Sequence, residues 1–328
     1  MDQLLCSPDP EQVRNGRHIF VSGLARSGTT ALLRFLHSTG RFCSLSYRDL
    51  PFPLAPFLWR RCLLRFSAQQ DQPRHRVHQD GLLMDLDGPE ALEEVFWRIF
   101  CGDLYICGDR LIPMQAEEED IELFRKYIAG LLKTSGNADR YLSKNNNNIL
   151  RLSSILEAFP VAKIIIPFRD PMQQAQSLLA QHLHFLELHR TNKFFRKYMS
   201  WLGHYEFGKG HRFFDVYPGT MEYSADSACY WLQEWIRVYS YLLEQVQNVE
   251  DSVLFLEYER LCADQGRVWK ALASKAFLPD SPPTGFCLKQ APVKEVVFTD
   301  SLLQKEAYRV HSQLQAECRK ALKKHSKK

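Results

Sequence analysis

The chain has 328 residues, of which 45% are hydrophobic and 24% are charged, and its formal net charge is +4 at pH 7. This length and composition allow a large buried core, and no stretch is long and apolar enough to predict a membrane-spanning helix. Six basic residues among the last ten supply a charge of +6, so the formal net charge of the remaining residues is −2. This charge excludes a strongly basic nucleic-acid-binding surface outside the C-terminal segment.

The first predicted unit surrounds a glycine-bracketed turn. A short apolar run over residues 18–22 predicts a strand, and the apolar-periodic segment over residues 29–38 predicts a helix. A strand, a tight turn and a helix N-terminus direct backbone N–H groups at one point, which suits a phosphate group. The spacing from Gly23 to Gly28 is that of a P-loop, but Thr29 stands where lysine is expected, and the cation of the loop is Arg26.

The second predicted unit begins with a short strand over residues 141–143. Lys144 follows it, and the run of four asparagines over residues 145–148 has the short polar side chains that suit turns and helix caps. A helix over residues 149–159 completes the unit. Lys144 is therefore expected at the carboxyl end of a strand.

The third unit carries a second signal for a phosphate group. Residues 161–167 form a continuous apolar, β-branched run, which is typical of a buried parallel strand. Asp170 suits the N-cap of the next helix and Pro171 its first turn. Arg169 at the strand end and Ser177, eight residues later, would supply a planar guanidinium and a hydroxyl, which together suit a dianionic phosphate.

The fourth unit consists of a strand over residues 253–257 and a helix over residues 265–277. Alternating strands and helices predict a parallel sheet covered on both faces, with ligands at the carboxyl ends of the strands. The aromatic and basic segment over residues 190–220 breaks this alternation, so it predicts an insertion above the site.

The loop of residues 26–30 (Arg-Ser-Gly-Thr-Thr) resembles the loop with which sulfotransferases bind 3′-phosphoadenosine-5′-phosphosulfate (PAPS). Its arginine form is that of the carbohydrate and tyrosylprotein sulfotransferases. These enzymes also hold the 3′-phosphate with an arginine at a strand end and a serine eight residues later. The resemblance implies cofactor binding by Arg26, Ser27, Gly28, Thr29, Thr30, Arg169 and Ser177.

The resemblance also implies the catalytic residues. Arg26 is expected at the leaving oxygen of the donor, and Lys144 has the position of a lysine that approaches the sulfuryl group. Asp49 falls where tyrosylprotein sulfotransferases carry a catalytic glutamate, and His78 and Asp80 are alternative bases. The structural alternative for Asp49 is an ion pair with Arg48 or a cap ahead of Pro51. The structural alternative for Lys144 is a surface lysine at the end of a strand.

The predicted fold is α/β, a three-layer P-loop sulfotransferase-like parallel sheet flanked by helices, with helical insertions. We expect one domain over residues 17–310, an N-terminal tail over residues 1–16, and a basic C-terminal helix or tail over residues 311–328. The first residues lack the basic and apolar regions of a secretory signal. They also lack the membrane anchor of Golgi sulfotransferases, so the expectation is a cytoplasmic, bacterial protein.

The predicted activity is sulfuryl transfer from PAPS to an acceptor hydroxyl, and the aromatic and basic insertion is compatible with a carbohydrate or glycoconjugate as the acceptor. Two alternatives stay open: a P-loop nucleotide kinase, which would need a lysine at position 29, and a non-catalytic nucleotide-binding module. The nine cysteines show no CxxC spacing, so they predict reduced thiols and no metal site. The sequence names neither a nucleic-acid partner nor an oligomeric state.

Overall fold

A computed structural model gives the structure of the chain. It describes residues 10–66, 74–75, 83–84, 88–136, 138–247, 249, 251–284, 286–290, 292 and 298–323. Within these ranges, no helix is long and apolar enough to cross a membrane. His78 and Asp80, the two alternative bases, lie outside the described residues.

Five parallel strands form the central sheet in the order β10-β8-β1-β7-β2. The other strands form two small sheets, an antiparallel pair β3-β4 and a three-stranded sheet β5-β6-β9. The strands are β1 (Ile19–Val21), β2 (Phe42–Cys43), β3 (Arg74–His75), β4 (Leu83–Met84), β5 (Ile106–Cys107), β6 (Arg110–Leu111), β7 (Arg140–Lys144), β8 (Lys163–Phe168), β9 (Phe213–Phe214) and β10 (Val253–Glu257).

The helices connect the parallel strands and cover both faces of the sheet, as crossover connections require. They are α1 (Pro10–Arg14), α2 (Thr29–His37), α3 (Pro56–Phe66), α4 (Glu94–Phe100), α5 (Gly102–Tyr105), α6 (Glu118–Leu132), α7 (Leu152–Ala158), α8 (Pro171–Thr191), α9 (Lys193–Trp201), α10 (Ala228–Val246), α11 (Tyr258–Ala263), α12 (Gln265–Ala276) and α13 (Ser301–Lys323). Short 3-10 turns lie at Tyr47–Asp49, Asn146–Leu150 and Gly208–Gly210.

Alternate residues of the central strands belong to cores on opposite faces of the sheet. Phe20 and Ile164 pack in one cluster, whereas Ile19, Val21 and Ile165 pack in the other. Side chains of a strand point alternately to the two faces, so a strand that is apolar at every position needs a cover on both sides. This arrangement confirms the predicted three-layer α/β fold.

The four predicted strand–helix units are present, with small differences at their ends. The second unit has a 3-10 turn before α7, and in the fourth unit α11 precedes α12. The predicted tails also meet the core. Val13 of α1 is buried, and the expected boundary at residue 310 falls inside α13, where Leu314 and Cys318 are fully buried.

Candidate active site

The turn after β1 has an unusual backbone conformation. Gly23, Arg26 and Gly28 have φ angles of +134°, +66° and +95°. A Cβ atom on Gly28 would lie 2.3 Å from the ring of Tyr258, so both the backbone angle and this close approach require glycine. Gly28 is also the N-cap of α2 and supplies no side-chain cap to the first amides of that helix.

The two predicted phosphate signals meet at this turn. Nε of Arg26 donates a hydrogen bond of 2.9 Å to Oγ of Ser177 on α8. Nη1 of Arg169, which follows β8, donates to the backbone oxygen of Arg26 over 3.2 Å. Three residues that are far apart in the sequence therefore form one cluster at the carboxyl ends of β1 and β8.

Buried contacts hold α8 against the turn. The side-chain amide of Gln174 donates to the backbone oxygen of Ala25 over 3.0 Å, and the indole N–H of Trp235 donates to Gln174 over 3.0 Å. Asp170 caps α8 by accepting from the N–H of Gln173 at 2.9 Å, as predicted. These contacts fix Ser177 relative to Arg26.

The cluster fits an anionic group. The first turn of α2 directs its dipole and amides to the loop, and Arg26 and Arg169 add two positive charges. Nε of Arg169 lies 3.2 Å from an oxygen of Glu259, and among the described residues Glu259 is its one carboxylate partner. Oγ of Ser22, at the carboxyl end of β1, is buried and has no hydrogen-bond partner among the described residues. An orphaned hydroxyl beside such a loop suits an oxygen-rich ligand.

Lys144 ends β7 beside this cluster. Its Cα pairs with that of Val21 in the register of β1 and β7, and its side chain is buried. The positive charge of Lys144 also affects the pKa of Glu206 in the insertion. Burial alone would raise the pKa of Glu206, but pairing with His204 and the charge of Lys144 lower that pKa well below its ordinary value. The insertion therefore brings a carboxylate and an imidazole toward the end of β7.

His204 and Glu206 were not predicted as site residues. Nδ1 of His204 lies 3.6 Å from Oε2 of Glu206, whose other oxygen accepts from Nδ2 of Asn146 at 2.9 Å. The second contact ties the insertion to the turn that follows β7. The sequence signal was a histidine and a glutamate two positions apart in the predicted insertion, which alone indicates no partner.

The asparagine run forms part of a buried polar network. Asn145 accepts from the N–H of Asn147 at 3.0 Å and so caps the 3-10 turn, as the sequence predicts. Nδ2 of Asn145 also donates to Glu94, which pairs with the fully buried Arg151 at 3.1 Å. A buried ion pair needs several hydrogen bonds to offset desolvation, and the amide of Asn145 and the hydroxyl of Tyr105 each donate one to Glu94.

Asp49 lies in a different environment from the one expected of a base. Its side chain is fully buried, and its two oxygens accept from Nε and Nη2 of Arg60 at 2.7 and 2.6 Å. One oxygen also accepts from the backbone N–H of Ser46 at 2.8 Å. This geometry favours the structural alternative of a cap and an ion pair, although the cation is Arg60, eleven residues later.

A basic cavity of about 560 Å³ lies in the insertion and is lined by the end of α8, by α9 and by residues between positions 204 and 212. His204 lines this cavity.

In the part of the chain that the structure describes, no group of three or more His, Cys, Asp or Glu residues could hold a metal ion. The described cysteines are free thiols, and Cys43, Cys101, Cys229 and Cys318 are buried.

The comparisons with known proteins point to one family. Residues 18–282, more than half of the chain, match the model of the sulfotransferase family. No curated protein matches the chain. Among solved structures, the sulfotransferase STF1 of Mycobacterium tuberculosis is similar, with 14% identity, a TM-score of 0.48, and coverage of 94% of this chain and 78% of its own.

Two further solved structures are similar over comparable lengths. The sulfotransferase STF9 of Mycobacterium avium has 14% identity and a TM-score of 0.46, with coverage of 93% of this chain and 70% of its own. A sulfotransferase of Alicyclobacillus acidocaldarius has 15% identity and a TM-score of 0.39, with coverage of 93% and 95%.

Proposed function

Because the chain belongs to the sulfotransferase family, we propose that it transfers a sulfuryl group from PAPS to an acceptor hydroxyl on a carbohydrate or glycoconjugate. No metal ion is required in this proposal. The observation that carries it is the cluster of Arg26, Ser177 and Arg169, in which a loop cation, a hydroxyl and a strand-end arginine are joined by contacts of 2.9 and 3.2 Å.

The 3′-phosphate and the 5′-phosphate of the donor would contact different residues around this cluster. Arg169 and Ser177 would hold the 3′-phosphate, since a guanidinium and a hydroxyl complement a dianionic group. The backbone of residues 27–30 and the N-terminus of α2 would hold the 5′-phosphate. PAPS, when bound, supplies the sulfuryl group.

Arg26 and Lys144 are the proposed catalytic cations. Sulfuryl transfer resembles phosphoryl transfer in that negative charge is spread over nonbridging and leaving oxygens, so fixed positive charges lower the barrier. Arg26 is proposed to stabilise the charge on the leaving oxygen. Lys144 is proposed to stabilise the sulfuryl oxygens, because it is buried at the end of β7, level with Val21 in the neighbouring strand.

Among the described residues there are two candidates for the general base, and His78 and Asp80 stay predicted alternatives outside those residues. Asp49 has the sequence position of the catalytic glutamate in the resemblance, but both of its oxygens accept hydrogen bonds from Arg60, and one also accepts from the N–H of Ser46. His204 lines a cavity and pairs with Glu206 at 3.6 Å, and an imidazole oriented by a carboxylate is a common base near neutral pH. The geometry favours His204, with Glu206 as its positioning residue.

Titration calorimetry tests the nucleotide site. We expect 3′-phosphoadenosine-5′-phosphate to bind in the presence of a chelator, and ATP not to bind with or without magnesium. Incubation with PAPS and a panel of saccharides, followed by mass spectrometry, tests the transfer through a mass gain of one sulfuryl group. Magnesium-dependent ATP binding would favour the kinase alternative, and nucleotide binding without transfer to any acceptor would favour the binding module.

A further inference from the structure

The cavity in the insertion is lined mainly by basic side chains. Its volume of about 560 Å³ is within the range of about 300–1,000 Å³ that is usual for small-molecule sites. Five of its lining residues are cations at neutral pH, namely Lys193, Arg196, Lys197, Lys209 and Arg212. No aspartate or glutamate of the described ranges lines the cavity.

The positive charges of the cavity are not neutralised within the described chain. None of the five cations pairs with a carboxylate among the residues that the structure describes. The Nε group of Arg212 donates to the backbone oxygen of Gly108 over 2.7 Å and its guanidinium lies over the ring of Tyr205 at 4.2 Å. Nζ of Lys197 lies 5.1 Å from the ring centre of Trp201. These contacts orient two of the five cations, and none of the contacts supplies a negatively charged partner.

The arrangement on α9 concentrates the charges on one side. Lys193, Arg196, Lys197 and Ser200 have the spacing i, i+3, i+4 and i+7, which puts them on the same face of the helix. All four are exposed and line the cavity. Like charges at this spacing repel each other, so they are stabilised when an anion binds between them.

His189 provides an independent observation at the inner wall of the cavity. It is buried, and its Nδ1 accepts from the backbone N–H of Lys209 at 3.1 Å. Its Nε2 is also buried and has no hydrogen-bond partner among the described residues. Burial, together with the charges of Arg196 and Lys209, lowers the pKa of His189. An unpaired nitrogen in a positive environment suits an oxygen of a ligand.

We propose that this cavity binds the acceptor and that the acceptor is an oligosaccharide already carrying at least two negative charges, as sulfate, phosphate or carboxylate groups. Several separated cations match several anionic groups better than one. The ring of Tyr205 lines the cavity beside Arg212, and aromatic rings pack well on the apolar faces of sugars. The cavity volume of about 560 Å³ fits a few sugar units.

The cavity is connected to the proposed catalytic residues through its own wall. His204 lines it and pairs with Glu206, which accepts a hydrogen bond from Asn146 after β7. A saccharide in the cavity would therefore lie against the proposed base. The inference rests on the proposed function, because it takes the bound saccharide to be the sulfuryl acceptor.

Titration calorimetry with a heparin-derived disaccharide, without any donor, tests the proposal. We expect the sulfated disaccharide to bind and its desulfated form to bind at least about 10-fold more weakly, since cations in a cavity favour charged ligands. Raising the salt concentration should weaken binding of the sulfated form only. Equal binding of both forms, or tighter binding of an acidic peptide, would overturn the proposal.

A matched pair of variants locates the site. Lys193→Glu/Arg196→Glu reverses two exposed cations of α9, and Arg267→Glu/Lys270→Glu reverses two exposed cations with the same spacing on α12. We expect the first variant to lose about 10-fold or more in affinity for the sulfated disaccharide, and the second to bind like the unmodified chain. Equal losses in both variants would show a nonspecific charge effect and overturn the proposal.

The outcome is separable from that of the proposed function. If the disaccharide binds as expected but no acceptor gains a sulfuryl group from PAPS, the transfer proposal fails and the anion site stands. If transfer occurs to neutral saccharides and is unaffected by Lys193→Glu/Arg196→Glu, the sulfotransferase proposal stands and this inference fails.

Discussion

Arg26 and Ser177 are 151 positions apart in the sequence, yet Nε of the first donates a hydrogen bond of 2.9 Å to Oγ of the second. The contact joins the turn after β1 to the first half of α8. Because Arg169 also binds the backbone oxygen of Arg26, the side chains proposed for the two phosphates of the donor form one network. Variants at each residue, measured with nucleotides that have or lack the 3′-phosphate, therefore separate the proposed contacts to the two phosphates.

Arg169→Ala should weaken binding of 3′-phosphoadenosine-5′-phosphate by ~2–4 kcal/mol, the usual cost of leaving a charge without its partner. Binding of adenosine-5′-phosphosulfate, which lacks the 3′-phosphate, should hardly change. Titration calorimetry with both nucleotides measures the difference. Equal losses for the two ligands would show that Arg169 does not contact the 3′-phosphate.

A second variant removes an electrostatic ambiguity in that experiment. Arg169 pairs with Glu259 at 3.2 Å, so its removal also exposes a carboxylate to the nucleotide. Arg169→Ala/Glu259→Gln lacks both charges. We expect it to bind 3′-phosphoadenosine-5′-phosphate as weakly as Arg169→Ala, because the guanidinium itself makes the contact. Full recovery of affinity would assign the loss to Glu259.

Arg26→Ala should lower kcat by about 10²–10³-fold, as expected when one charge-stabilising donor is lost from a transition state. Affinity for the product nucleotide should also fall, since the same guanidinium lies at the 5′-phosphate in the proposed complex. Ser177→Ala serves as the comparison, because it removes the hydrogen-bond partner of Arg26 and leaves its charge. Single-turnover kinetics separate the two effects, and near-normal turnover in Arg26→Ala would reject the assignment.

The elements that form the cluster around Arg26 could be predicted from the sequence because their signals are local. Arg26 follows from the spacing of two glycines, and Arg169 and Ser177 follow from one strand and the helix after it. The five residues of β10 were predicted at their observed bounds, since a buried strand is apolar throughout. In contrast, β2 has two residues, which is too short to show a periodic pattern.

The base could not be predicted in the same way, because its environment depends on tertiary contacts. Nothing in the sequence near Asp49 indicates that Arg60 takes both of its oxygens. Similarly, Glu206 meets Asn146 across sixty positions, and neither residue belongs to a recognisable motif. Local spacing predicts backbone-built sites well and side-chain pairs between distant segments poorly.

Gly28→Ala should destabilise the fold more than Gly40→Ala does, by ~1–3 kcal/mol. Both glycines have positive φ angles, but a Cβ atom at position 28 would overlap the Tyr258 ring, whereas one at position 40 would have no atom within 4 Å. The comparison therefore isolates much of the cost of the overlap from that of the backbone angle. Urea unfolding of the two variants measures it, and equal losses would mean that Tyr258 moves aside freely.

The protein should lose stability as the pH falls from about 6.5 to about 4. Burial lowers the pKa of His18 from 6.5 to about 4, so the unfolded chain binds a proton in this range and the folded chain does not. The contacts explain the neutral form: Nε2 donates to the oxygen of Val13 at 2.8 Å, and Nδ1 accepts from the N–H of Tyr141 at 3.0 Å. The loss in the free energy of unfolding due to His18 is up to about 3 kcal/mol over this pH range.

Urea unfolding at several pH values, with His18→Gln as the comparison, tests this expectation. Between pH 6.5 and pH 4, the free energy of unfolding of the variant should decrease less steeply with falling pH. The difference corresponds to the one proton that His18 takes up on unfolding in this range. Some acid sensitivity should persist, because burial also lowers the pKa values of His182 and His211 to about 4. An unchanged slope in His18→Gln would contradict the assignment.

Asp49→Asn and His204→Gln distinguish the two described candidates for the base. Asp49→Asn leaves the guanidinium of Arg60, which is four-fifths buried, without a charged partner, so the free energy of unfolding should fall by ~3–5 kcal/mol. At a temperature where the variant is folded, its kcat should stay within about 3-fold of the original, since the carboxylate takes no proton in this role.

His204→Gln should show the opposite pattern, because glutamine keeps a polar group at this position and cannot act as a base. We expect kcat to fall by about 10²-fold or more while stability and affinity for 3′-phosphoadenosine-5′-phosphate stay unchanged. Glu206→Gln should lower kcat and leave the affinity for 3′-phosphoadenosine-5′-phosphate unchanged, because the carboxylate that lies 3.6 Å from Nδ1 of His204 no longer orients the imidazole. A folded Asp49→Asn without activity, beside an active His204→Gln, would return the role of base to Asp49. The arrangement of Arg60 around its carboxylate would then be a means of orienting that base.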